Sequence, residues 1–165
     1  FVAKIKGMSY AEIAAKGGGI LNSAKKLNAM SEDALYDLAA QRLLNLMQLG
    51  TGAIEIKSGY GLTVEGELKM LRVIKRLKQN APITVKATFL GAHAYPLEFK
   101  EDHEGYLHLL INELLPNIAL EKLADYVDVF CETGFFSVKE MEAVCNAAAK
   151  YGLKPKLHVN QLNSI

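Results

Sequence analysis

Residues 53–90 read AIEIKSGYGLTVEGELKMLRVIKRLKQNAPITVKATFL, and the period of their apolar positions changes twice. Ala53 to Lys57 is a short extended segment, and Ser58 to Gly61 is a glycine-rich turn. Val64 to Gln79 then has the 3.6-residue period of an amphipathic helix, and Ile83 to Leu90, rich in β-branched residues, reads as a buried strand. A strand, a helix and a second strand in one direction form a right-handed crossover unit of a parallel sheet.

The same order extends outward from this unit. Upstream, Leu35, Leu38, Ala39, Leu43, Leu46 and Met47 recur at helical spacing, so Ser31 to Leu49 is predicted as a helix. Ser31 would be its N-cap, Glu32 and Asp33 its first-turn acids, and Gly50 its stop. Downstream, Gly91 to Pro96 reads as a loop, Glu104 to Leu115 as a helix and Tyr126 to Phe130 as a strand. Ser137 to Tyr151 is a capped helix stopped by Gly152, and Lys156 to Val159 opens a fourth strand. Four strand starts separated by helices predict an α/β protein with a parallel sheet. Such a sheet either closes into a barrel or lies open and doubly wound. Polar residues gather just after the strands: Lys57 and Ser58, His93, Glu132, then His158 with Asn160 and Gln161. Barrel enzymes place their site groups at these carboxyl ends, so a partial (β/α)8 barrel of TIM type is expected, with residues 1–165 as a single domain.

Composition narrows the partners. With 165 residues, half of them hydrophobic, the chain is long enough to bury a sizeable core. Its 19 Lys and Arg balance 18 Asp and Glu, so no net field draws it to nucleic acid or to an anionic membrane. No apolar run approaches the ~18–20 residues of a membrane-spanning helix, and no signal peptide opens the chain. Cys131 and Cys145 lack a C-x-x-C spacing and read as reduced core thiols, which suits a cytoplasmic protein with a small-molecule partner. The start at Phe1 and the stop at Ile165 after a polar run suggest an excised piece.

The four histidines differ in their surroundings. His103 and His108, near Glu101, Asp102 and Glu104, read as solvated helix residues. His93 stands in Gly-Ala-His-Ala at a strand end, where small neighbours leave room for a ligand; a structural role stays open. His158, beside the amides of Asn160 and Gln161, is the better candidate metal ligand, against the alternative of a satisfied core histidine. One histidine is not a metal site, and no H-x-H or H-x-x-x-H pair completes a set. Tyr60, between Gly59 and Gly61, would be presented at the top of a barrel or packed under its loop. Gly17 to Gly19 lack the Lys-Ser or Lys-Thr of a phosphate-binding loop and read as a flexible segment. Lys57 would serve Schiff-base chemistry or carboxylation, or else form an ion pair with Glu55 or a neighbour. Glu132 would be a general acid or base, or hold a loop or ligand by a hydrogen bond.

Several segments together resemble the imidazolonepropionase family of the amidohydrolase superfamily. They are Gly17-Gly-Gly-Ile20, Asn22-Ser-Ala24, Glu55-Ile-Lys-Ser-Gly-Tyr-Gly-Leu62, Glu67-Leu-Lys-Met-Leu-Arg-Val-Ile74, Thr88-Phe-Leu-Gly-Ala-His-Ala94, Asp128-Val-Phe-Cys-Glu132 and Lys156-Leu-His158. The resemblance implies a (β/α)8 barrel with a small β-sandwich built from the two ends of a longer chain, of which these residues would be the central part. It implies one zinc or iron ion held by an H-x-H pair, a histidine matching His158 and a late aspartate; of these His158 alone is present. It carries substrate contacts to Tyr60, His93 and Gln161, the last at a position that holds Glu or Gln. An upstream arginine contact and a downstream histidine that moves protons lie outside, so no catalytic residue is assigned within these 165. The implied reaction is hydrolysis of the cyclic amide of 4-imidazolone-5-propanoate to N-formimidoyl-L-glutamate in histidine degradation. The isolated 165 residues are expected to be inactive, not to retain the ion, and to dimerise or aggregate through uncovered strand edges. The alternatives are an amidohydrolase of another cyclic amide and a non-enzymatic α/β module that binds a small ligand.

Overall fold

The structure, a computed structural model, describes residues 5–7, 20–161 and 164. Helices α1 (Ile20–Ala29) and α2 (Glu32–Gln48) precede β1 (Ala53–Lys57), α3 (Val64–Asn80) and β2 (Thr84–Ala92). A helical run built from α4 (His103–Leu109), a π-helical turn (Leu110–Leu114) and α5 (Leu115–Glu121) follows. The described chain closes with β3 (Tyr126–Phe130), α6 (Val138–Ala149) and β4 (Lys154–His158). The glycines at 17–19 lie outside the described residues.

Caps explain where the helices begin. The Ser31, Thr63, Asp102 and Ser137 side chains each accept an N–H from the first turn that follows, and Ser137 forms a capping box with Glu140. The predicted helix over 104–115 runs on to Glu121, straight through Pro116. Pro116 cannot donate to the turn before it and would crowd that turn's carbonyls. The ladder widens ahead of it instead: Leu115 N–H reaches Leu110 O, and Asn117 Nδ2 donates to Glu113 O at 2.8 Å. The strand expected over 83–90 likewise extends to Ala92, with a register shift between Phe89 and Ala92 that marks a bulge.

All four strands are parallel and lie in the order β1-β2-β3-β4. A doubly wound sheet reverses direction at a switch point; a barrel adds each strand beside the last. The two faces differ as a barrel's do. Val85, Ala87, Phe89, Val127 and Val129 pack with Leu71, Ile74, Leu110, Leu114, Ile118 and Val144 of the helices into one apolar core. The other face carries Glu55, Lys57, Thr88, Asp128, Lys156 and His158, joined to one another by hydrogen bonds and ion pairs. Lys156 Nζ on β4 donates to Glu55 Oε2 on β1 at 2.5 Å. In a flat sheet these two strands would lie about 14 Å apart, beyond the joint reach of the side chains, so the sheet is strongly curled around its polar face. The architecture is that of a partial (β/α)8 barrel, its polar face turned inward. No helix among the described residues is long and apolar enough to cross a membrane.

Candidate active site

The carboxyl ends of β1 and β4 converge on Asp128. It lies in the middle of β3, alternates with the apolar Val127 and Val129, and its side chain is 1% exposed. A buried carboxylate is tolerated only with partners for its oxygens. Lys57 Nζ, at the end of β1, donates to Asp128 Oδ2 at 2.5 Å, and His158 Nδ1, at the end of β4, lies 2.9 Å from Oδ1. Since the carboxylate oxygen accepts, Nδ1 carries the hydrogen, and in the neutral ring Nε2 is left with its lone pair. This is how metal-binding histidines are oriented from behind. The His158 ring is 40% exposed and stands edge-on to Phe130. Of the roles open to Lys57, the structure holds the ion pair, closely with Asp128 at 2.5 Å and more loosely with Glu55 at 3.6 Å. Glu55 also takes Thr88 Oγ1 at 2.6 Å and Lys156; burial alone would raise its carboxyl, but these partners hold it below the usual range.

Tyr60 and His93 come together at the next strands, with ring centroids 6.1 Å apart. Tyr60 is exposed, so it is presented by its loop rather than packed under it. His93, half-buried, follows the bulge of β2, and its Nε2 donates to the Gly59 carbonyl. Gly59 has φ +109°, and a Cβ there would sit 2.6 Å from Leu90 O and 2.8 Å from His93 Nε2, so a glycine is required. The turn that carries Tyr60 is tied down by a residue from the start of α3 whose part in the site helical periodicity alone does not announce. Glu67, 1% exposed, accepts N–H groups from Gly59 (2.8 Å), Gly61 (2.7 Å) and Leu62 (3.3 Å).

Gln161 closes the described strand-end segment, and its backbone N–H donates to the buried Glu132. Of the two roles open to Glu132, this contact is a hydrogen bond that holds the loop after β4. The loop after β2 is clamped to the start of α6 by Tyr95, whose ring stacks between His103 (3.7 Å) and Phe136 (4.5 Å) and whose hydroxyl donates to Glu140. Burial, reinforced by the Glu140 charge, pushes the Tyr95 hydroxyl well above its ordinary value. His103 and His108 are exposed, as expected. Both cysteines are free, and burial pushes the thiols of Cys131 and Cys145 up, away from thiolate chemistry.

Among the described residues no three His, Cys, Asp or Glu side chains converge to hold a metal ion. His158, its Nδ1 held by Asp128, is oriented as a metal ligand would be.

No family model matches the chain. The imidazolonepropionases of Flavobacterium psychrophilum and Flavobacterium johnsoniae are each 64% identical to it over all 165 residues, and that of Christiangramia forsetii is 58% identical over the same span. In each case the chain spans 40% of the relative's length. Along its whole length the chain is therefore similar to these imidazolonepropionases, and it spans about two fifths of their length.

Proposed function

We propose that the full-length protein is a metal-dependent hydrolase of histidine degradation that opens the cyclic amide of 4-imidazolone-5-propanoate to give N-formimidoyl-L-glutamate. The observation that carries this reading is His158: an imidazole at a strand end, its Nδ1 held by a buried carboxylate, in a chain 64% identical to imidazolonepropionases. A zinc or iron ion bound there would polarise the amide carbonyl and bring the pKa of its water from ~15.7 to about 7.

The chain's own residues would orient and hold. Asp128 fixes the Nδ1 hydrogen of His158 and keeps Nε2 available, and Lys57 balances the Asp128 charge. His93 Nε2 is committed to Gly59, which leaves Nδ1 to meet the substrate near the reacting carbonyl. Tyr60, beside it, would fix the ring or the product. Gln161 offers an amide donor and acceptor to a ring nitrogen and takes up no proton, so its part is orientation. The remaining ligands, the upstream arginine and the downstream histidine implied by the family lie outside these residues, and the 165 residues alone would turn over nothing. A cytoplasmic location accords with the two free cysteines.

The test is turnover of 4-imidazolone-5-propanoate by the full-length protein, with and without a chelator. Hydrolysis that the chelator abolishes and added metal restores is the expected result. No hydrolysis by folded, metal-loaded protein would overturn the reading in favour of another cyclic amide or of ligand binding without chemistry.

A further inference from the structure

We infer that Glu67 is a positioning residue of this site, acting through the turn Gly59 to Leu62 to set the phenol of Tyr60 and the ring of His93 together. The inference rests on the functional reading above.

Glu67 occupies the first turn of α3, where an acid is favoured by the helix dipole alone, but the cap of this helix is already made. Thr63 Oγ1 accepts the Gly66 N–H at 3.0 Å. The Glu67 side chain turns back instead and receives three backbone N–H groups from the preceding turn, two on Oε1 and one on Oε2. Gly59 takes its φ of +109° freely, but Leu62, a residue with a Cβ, is held at φ +55°, so the surroundings must impose that part of the conformation. Tyr60 sits between two of the held N–H groups. Gly59 supplies the carbonyl that fixes His93 Nε2. One buried carboxylate therefore determines both where the phenol points and which nitrogen of His93 is free.

The chemistry of the contact makes it testable at constant volume. Glutamine matches glutamate in shape but has one acceptor oxygen and one donor nitrogen, so it opposes N–H to N–H at either Gly59 or the Gly61–Leu62 pair. In the metal-loaded full-length protein, Glu67→Gln is expected to raise KM for 4-imidazolone-5-propanoate by about tenfold or more, with kcat changed less and metal content unchanged. Ring 15N resonances should show His93 losing its Nε2-protonated signature while His158 keeps its Nδ1-protonated one; a purely structural role would move neither selectively. Glu67→Asp keeps an acceptor-only carboxylate on a shorter stem and should shift KM and the His93 signals in the same sense. If the Gln variant does not fold, the Asp variant decides. Unchanged KM and unchanged His93 resonances would overturn the inference. A wild-type protein that does not hydrolyse the substrate would overturn the functional reading instead, and the His93 resonances would still report on Glu67.

Discussion

Asp128 is an aspartate in the middle of an apolar strand, and its burial is tolerable because Lys57 takes one oxygen and His158 the other. Removing it leaves the Lys57 charge without its nearest partner and frees the His158 ring to rotate. Asp128→Ala in the full-length protein is therefore expected to lower metal affinity or turnover about 10- to 100-fold, the range for groups that orient a metal-binding histidine. Metal titration and kcat/KM would measure it. His158, His93, Tyr60 and Gln161 were legible as candidates because each directly follows an apolar strand, or sits between glycines, where a side chain has no packing reason to be polar. Asp128 and Glu67 were not, since an isolated acid in a strand or helix reads as solvent-facing. Periodicity held the signal in both cases. Glu67 shares the buried helix face of Leu71 and Ile74, and Asp128 alternates with valines that are themselves buried.

Four helix starts have a local chemical cause in the caps Ser31, Thr63, Asp102 and Ser137. β1 and β3 match their sequence expectation end to end, because a turn or cap bounds each of them. The helix through Pro116 does not, because a π turn that absorbs a proline depends on backbone geometry that the residue order does not announce. The joint between β2 and β3 depends on Asp125, whose Oδ2 accepts the Ala87 N–H at 2.9 Å while Lys78 donates to it at 2.9 Å. Burial alone would raise the Asp125 carboxyl; the Ala87 N–H and the charges of Lys78 and Lys86 outweigh it and hold the carboxyl below its ordinary value. A depressed folded value contributes stability that is fully present above the unfolded value and is lost as pH falls through the folded one. Unfolding by denaturant, followed from about pH 5 downward, should thus show stability falling with acid, and more shallowly in Asp125→Asn. Equal slopes in the two proteins would contradict this role.

At the scale of the molecule, the sheet curls far enough for β1 and β4 to share the Glu55–Lys156 pair, yet among the described residues each has a neighbour strand on one side only. Leu157 on β4 and Val159 just beyond it are about half exposed. Open edges and an uncovered apolar strand favour self-association. Light scattering on the isolated 165 residues is expected to show dimers or larger species that grow with concentration; a monomer at every concentration would contradict this. The parallel sheet was legible from the alternation of periods, and the barrel from polar residues gathered at one end of every strand. The curl itself was not, because ion pairs between the first and last strands join residues 101 positions apart. If His158, steered by Asp128, is a ligand of the metal that the reaction needs, its removal takes the metal with it. Metal bound per subunit in full-length His158→Ala, measured beside wild type, tests it most directly. The variant is expected to fold but to lose its metal and its turnover of 4-imidazolone-5-propanoate; a variant that keeps both would show that His158 is no metal ligand.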